Sequence, residues 1–308
     1  MNKNDFLKKI IVILGPTASG KSKLAVDIAL WLKKTKNIEC EIISADSRQV
    51  YKEMNLGTGK ITKKEMEGVK HHLLDIMSPK RQFTVVHFVK LAKKAINEIF
   101  KRKKIPVICG GTAFYIYALI DGISIPEVKP NLKLRKKLEK KNAQELFNIL
   151  FKIDPERVNK IDKNNKRRLI RAIEIVKETK SQVPKIKYNP LPYPVIFLGI
   201  KKNKDELEKL IKKRLLLRIK KGMIEEVKKL RKMGVSWKRL NSFGLEYRII
   251  AKYLKKEIDY NKMLETLFKE IVRFSKQQMT WWKNDKRIYW INNKNEAKKI
   301  VKEFLFKN

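Results

Sequence analysis

The chain has 308 residues, with 74 Lys and Arg against 32 Asp and Glu, a net charge of +42 and 43% apolar residues. That length suits two domains, or one large α/β domain with an insertion, and the charge points to a polyanionic partner. With no apolar run of 18 residues, no secretory leader, and no zinc-site spacing among Cys40, Cys109, His71, His72 and His87, the expectation is a cytoplasmic protein off the membrane, without structural metal.

Ile10–Leu14 reads as a buried strand and runs into Gly15-Pro-Thr-Ala-Ser-Gly-Lys21-Ser22, which fits G-x-x-x-x-G-K-[ST] in its strand-to-helix setting. The helix that follows is expected to bury Leu24, Ile28 and Trp31. A second strand, Ile42–Ala45, ends on Asp46; Phe88, Leu91, Ala95 and Ile99 mark the core face of a helix leading into a third, Ile105–Cys109. From Pro126 to Pro194 only helical pattern is present, in Leu132, Leu138, Leu146, Ile149, Leu150, Leu169, Ala172, Ile173 and Val176, bracketed by prolines. Strands return at Val195–Ile200 and Arg287–Ile291, separated by amphipathic helices through Leu207, Leu210, Ile211, Leu215, Ile219, Ile224, Val227 and Leu230. The reading is an α/β fold, a P-loop NTPase-like parallel sheet core (1–125) with a helical insertion (126–190) and a return to the core with C-terminal helices (191–308). Lysine is scattered as a compositional bias would leave it, yet the excess of +12 over 1–126 compares with +11 over 127–190 and +19 over 191–308. Residue for residue, the second and third stretches are the more basic, which suits a large anion docking there.

Gly15, Pro16, Thr17, Ala18, Ser19, Gly20, Lys21 and Ser22 form a phosphate cradle: backbone N–H groups turn onto phosphoryl oxygens, Lys21 adds a cation and Ser22 is a ligand for Mg²⁺. A Walker-B carboxylate is missing where it is expected, since Ile105–Cys109 runs into Gly110-Gly-Thr112. Asp46 stands at the carboxyl end of a core strand, where ligands bind in such sheets, and its two readings are a helix cap and a general base.

In order and spacing, Gly15-Pro-Thr-Ala-Ser-Gly-Lys-Ser22, Ile43-Ser-Ala-Asp-Ser-Arg-Gln-Val-Tyr51, Gly57-Thr58, His71-His-Leu-Leu-Asp75, Gly110-Gly-Thr112 with Tyr115, Lys166-Arg-Arg-Leu-Ile-Arg-Ala172, Gly222-Met-Ile-Glu-Glu-Val227 and Gln278-Met-Thr-Trp-Trp282 resemble the tRNA dimethylallyltransferases over nearly the whole chain. The resemblance implies transfer of a dimethylallyl group from dimethylallyl diphosphate to N6 of the adenosine 3′-adjacent to the anticodon (position 37) of tRNA, with Mg²⁺, no ATP hydrolysis and a monomeric enzyme. It makes Asp46 the base. The N–H groups of residues 17 to 22, Lys21, Mg²⁺ on Ser22, and Arg214 meet the diphosphate. Thr17 falls where diphosphate and base meet; Asp46, Ser47, Arg48 and Gln49 line the extruded base; and Thr112 touches the tRNA. In the insertion, Arg167, Arg168, Leu169, Ile170 and Arg171 are implied tRNA contacts, with Arg167 and Arg171 on one face. Arg135 is another, Lys133 being the alternative in register; for the arginine face the bland reading is Glu174 pairing Arg171. The chain departs from the family pattern at Ala113, at Arg218 (usually apolar), in Ser242-Phe-Gly-Leu-Glu-Tyr247, and in Ile271-Val-Arg-Phe-Ser-Lys276, where Arg273 stands in for a displaced arginine. Trp281 and Trp282 read as core packing ahead of base stacking. The competing readings are a small-molecule kinase or ATPase, with Asp46 deprotonating a hydroxyl, and a non-catalytic nucleic-acid-binding protein switched by nucleotide.

Overall fold

The computed structural model describes residues 8–159 and 161–306. In chain order, β1 (Ile10–Leu14), α1 (Lys21–Lys36), β2 (Cys40–Ser44), α2 (Lys63–Met66), β3 (His71–His72), α3 (Val85–Lys101), β4 (Ile105–Gly110) and α4 (Ala113–Ile120) come first. Helices α5 (Leu132–Glu139), α6 (Ala143–Ile153), α7 (Pro155–Val158) and α8 (Lys166–Thr179) follow. Then come β5 (Val195–Ile200), α9 (Lys204–Lys220), α10 (Met223–Lys232), α11 (Trp237–Phe243), α12 (Leu245–Leu254), α13 (Tyr260–Trp282), β6 (Ile288–Ile291) and α14 (Lys294–Phe306). The chain divides into two units: one runs to Asp121 and resumes at Pro190, the other is Gly122–Asn189.

The first unit is built on a six-stranded sheet in the order β3-β2-β4-β1-β5-β6, every pairing parallel. Such strands must be apolar on both faces, because crossover helices cover both. β1 obeys: Ile10, Val12 and Leu14 enter the core shared with α3, α4 and the helices after β5, while Ile11 and Ile13 enter the core under α1 and α14. β3 escaped the sequence reading because two half-buried histidines give no periodicity. Both are tied to the fold: His72 Nε2 lies 2.6 Å from Glu41, which also binds Arg102, and His71 Nδ1 lies 2.8 Å from Val69 O. Among the described residues no cluster of His, Cys, Asp or Glu is placed to hold a metal, and no helix is long and apolar enough to cross a membrane.

Two core assignments are corrected. α1 turns Leu32 fully inward, and Trp31 is half-buried with Lys298 over its ring. Leu91 likewise sits at the core edge, its place taken by Ala92 and Ile96.

The second unit is helical, its core formed by Leu138, Leu146, Leu150, Val158, Leu169, Ile170, Ala172 and Ile173. Its helices start on side-chain caps: Asn131, Asn142, Asp154 with Pro155 behind it, and Asn165 each accept from the N–H three residues on. An antiparallel bridge Ile123↔Tyr188, with Ser124 N–H donating to Lys187 O at 2.8 Å, brings residues 122–125 into this unit. Glu174 is fully buried and gathers four donors: Arg135 Nε (2.7 Å) and Nη2 (2.6 Å), Arg171 Nη1 (2.5 Å) and the Asn131 N–H (2.7 Å).

This network engages two of the arginines expected to meet RNA. Arg171 donates also to Pro126 O and Val128 O, and Arg135 pairs with Glu174, while both side chains stay partly exposed. Leu169 and Ile170 have their side chains in the core. Arg167, Arg168 and Lys133 are exposed and make no ion pair among the described residues. Leu132, part of the helical pattern, is 76% exposed at the start of α5.

Candidate active site

The carboxyl ends of β1, β2 and β4 lie side by side, in the registers Leu14↔Gly110 and Ser44↔Cys109, so the cradle, Asp46 and Gly110-Gly111-Thr112 emerge at one sheet edge. Gly110 is obligatory there, because a Cβ would stand 2.2 Å from Ala45 O. The loops enclose a pocket of about 620 Å³ within the first unit.

Thr17, Ala18, Gly20, Lys21 and Ser22 line this pocket, while Gly15, Pro16 and Ser19 lie behind it. Lys21 Nζ folds back onto Pro16 O at 2.6 Å. The N–H groups of Gly20, Lys21 and Ser22 have no partner among the described residues and open the positive end of α1 to an anion. Thr17 departs from the expected cradle: its N–H is taken by Gln278 Oε1 at 2.8 Å, and Gln278 Nε2 donates to Gly111 O at 2.8 Å. The Gln278 amide thus staples the cradle to the end of β4. Thr17 Oγ1 accepts from Arg214 Nη2 at 2.6 Å, which places that guanidinium over the cradle. Burial pushes the Lys21 ammonium down to about 8, against the pull of the Cys109 and Asp46 sides of the pocket. It pushes Arg214 to about 9, with Arg218 adding repulsion. Two cations so strongly desolvated in one cleft mark it as a candidate functional site.

Asp46 caps a turn and not the helix of its capping reading, since residues 47–50 form no helix, and it is not used up there. Oδ1 accepts from the N–H groups of Arg48 (2.8 Å) and Gln49 (3.2 Å), and Oδ2 accepts none among the described residues. Its neighbours hold the turn. The Ser47 N–H donates to Thr112 Oγ1 at 3.1 Å, and Gln49 Nε2 to Gly59 O at 3.3 Å. Arg48 Nε reaches Phe243 O at 2.8 Å, with its guanidinium over the Phe243 ring. Ser47, Arg48, Gln49 and Thr112 therefore line the same pocket as Asp46, and the last three are also tertiary struts.

The opposite wall is the loop 54–59. Glu226 of α10 accepts from the N–H groups of Asn55, Leu56 and Gly57 at 2.7–3.0 Å and from Tyr247 Oη at 2.8 Å, so one carboxylate fixes the loop. Sequence reasoning gave Gln278 and Glu226 no role beyond their segments; each partner lies far along the chain, and only their place inside those segments hinted at them. Arg218 and Glu246, also pocket-lining, are buried. Arg273 is exposed and pairs with Glu270 at 3.6 Å. Of the tryptophans, Trp282 is fully buried, but Trp281 is 47% exposed beside Phe114, so core packing holds for one of the pair.

A parallel sheet with a cradle-type loop after its first strand, a carboxylate after its second and a helical unit after its fourth defines a P-loop-type α/β protein. The family described as IPP transferase matches residues 49–285, and the chain belongs to that family. Among its relatives are the tRNA dimethylallyltransferase of Acetivibrio thermocellus, 39% identical over 310 residues and 97% of both chains, and that of Clostridioides difficile, 37% identical over 295 residues and 93% of both. Of solved structures, the full-length tRNA isopentenylpyrophosphate transferase from Bacillus halodurans is similar with a TM-score of 0.71 and 34% identity, over 97% of each chain. A eukaryotic dimethylallyltransferase acting on tRNA is similar with a TM-score of 0.74 and 25% identity, over 97% of this chain and 79% of that one.

Proposed function

We propose that this chain transfers the dimethylallyl group of dimethylallyl diphosphate to N6 of the adenosine 3′-adjacent to the anticodon (position 37) of tRNA, giving N6-(dimethylallyl)adenosine, in the cytoplasm. The observation that carries this reading is the unpartnered Oδ2 of Asp46 in the same pocket as the cradle, Lys21 and Arg214. The allylic C–O bond breaks as N6 attacks the terminal carbon, and the diphosphate leaves with the bonding electrons. Negative charge grows on its oxygens, where the Gly20–Ser22 N–H groups, Lys21 and Arg214 wait preorganised. Asp46 takes the N6 proton as the new bond forms. Mg²⁺ suits the hard oxygen donors here, Ser22 Oγ with the Asp46 carboxylate nearby; bound to the diphosphate, it supplies further charge neutralisation. The adenine must leave its stack to enter, at about a few kcal/mol, which phosphate contacts elsewhere offset.

The test is incorporation of labelled prenyl group into an unmodified anticodon stem-loop with Mg²⁺ and no ATP, read as digested nucleosides. N6-prenyladenosine is expected; no product, with ATP consumed once it is added, moves the assignment to a kinase or ATPase.

Two further expectations arise here. Exposed and unpaired, Arg167 and Arg168 are the insertion residues suited to phosphate contact, so Arg167→Ala/Arg168→Ala lowers the salt slope of tRNA binding by about 2. An unchanged slope means a solvated face. The second concerns Lys21, whose ammonium in the free protein loses its proton as pH rises through about 8. Below that pH the cation is present for a diphosphate; above it, binding must take up a proton. Inorganic pyrophosphate affinity therefore falls above about pH 8, and calorimetry at about pH 8.5 in buffers of different ionisation enthalpy shows proton uptake that Lys21→Met lacks. Equal uptake in both proteins assigns the proton to another group.

A further inference from the structure

Arg218 follows Arg214 by one turn of α9 and is 7% exposed, yet it lines the pocket. Its carboxylate partner is Glu246 of α12, 8% exposed, which Nη1 reaches at 3.5 Å, the outer limit for a hydrogen bond. Nε and Nη2 donate to no acceptor among the described residues. The tip lies against bare backbone: a Cβ on Gly59 would stand 1.4 Å from Nη2. A guanidinium carries five N–H donors in one plane, and a buried cation with one long contact is stable only where something completes its shell.

The charges around it show what is missing. Lys21, Arg48, Arg214 and Arg218 face Asp46, Glu226 and Glu246, four cations against three carboxylates. Burial raises the Glu246 carboxyl above its ordinary range even with Arg218 and Arg214 drawing it down. The pocket keeps positive charge in excess, beside a cradle built for phosphoryl oxygens.

Resting on the prenyl-transfer reading, we propose that Arg218 is a second diphosphate-binding guanidinium of this chain, held by Glu246 as a positioning residue. Its unpartnered N–H edge takes oxygens of the allylic diphosphate, and of the released pyrophosphate, that the cradle, Lys21 and Arg214 leave uncovered. Arg214 is anchored on Thr17 and Arg218 on Glu246, so the two arginines close on the leaving group from separate supports.

The test is calorimetric titration of inorganic pyrophosphate with Mg²⁺ into the full chain, Arg218→Met, and Arg218→Met/Glu246→Gln, with donor KM and tRNA Kd measured on each. Pyrophosphate Kd and donor KM are expected to rise roughly ten- to a hundredfold in both variants, the loss of one or two charge-assisted hydrogen bonds, with tRNA Kd unchanged. The single variant also loses thermal stability, because Glu246 is left buried without its ion-pair partner; the double variant recovers it and keeps the pyrophosphate defect. Unchanged pyrophosphate affinity in the stable double variant overturns the proposal, as does a defect confined to tRNA Kd. Failure of the wild type to bind pyrophosphate also overturns it. If wild type binds pyrophosphate through Arg218 but prenylates no stem-loop, the anion site stands and the prenyl-transfer reading falls.

Discussion

Asp46→Asn lowers kcat for prenyl transfer by roughly 10²–10⁴-fold, the range for loss of a positioned general base, while tRNA affinity is retained. Asparagine is the informative replacement because Asp46 has two tasks. Oδ1 holds the turn through the N–H groups of Arg48 and Gln49, and an amide oxygen preserves both bonds. Proton acceptance belongs to the carboxylate. Asp46→Ala would remove both functions, and lost activity could then reflect a displaced Gln49, which ties Gly59 into the pocket wall. Single-turnover rates with saturating donor, alongside tRNA binding, distinguish the cases. Transfer at the wild-type rate in the Asp46→Asn variant would sink the assignment of Asp46 as base; a collapse of tRNA binding would make it a docking residue.

Glu174→Ala costs about 1–3 kcal/mol, the range for donors that lose their acceptor, because Arg135 and Arg171 are about a third exposed and water rehydrates them in part. Glu174 is fully buried, and four donors converge on it from α5, α8 and the N-cap of α5. Removal leaves two guanidinium groups facing a void, with Arg171 retained only by the carbonyls of Pro126 and Val128. Amide hydrogen exchange of α5 and α8 is the measurement, since a two-unit chain need not unfold in one step. Protection in both helices is expected to fall, and tRNA affinity with it. If instead Arg135 and Arg171 served as the RNA grip, freeing them from Glu174 would tighten tRNA binding with protection intact.

Glu174 also shows where sequence stops. Arg167, Arg168 and Arg171 are alike as letters in a helix. At 3.6 residues per turn the three fall within about 100° of arc, so helical geometry alone would let α8 offer all of them to one side; the packing of Leu169, Ala172 and Ile173 decides which of them is drawn toward the buried edge. Arg171 lies at that edge, within reach of Glu174, and pairs with it. Trp281 and Trp282, adjacent on α13, divide between surface and core for the same reason.

Local order along the chain was enough to specify the cradle and its setting. Five apolar residues followed by G-x-x-x-x-G-K-S specify a buried strand, a phosphate-binding turn and a helix start, because each depends on neighbours within a few positions. Asp46 at a strand end, the parallel alternation, the helical stretch after Pro126 and the ordered family segments were legible in the same way. Which polar groups remain available is, by contrast, a property of the packed molecule. Gln278 lies 261 positions from the Thr17 N–H it occupies, Glu226 about 170 from the loop it latches, and Glu246 28 from the arginine it steers. A hydrogen bond is satisfied by whatever atom the fold brings within about 3 Å, and in a buried pocket each satisfied donor is withdrawn from substrate and each unsatisfied one is offered to it.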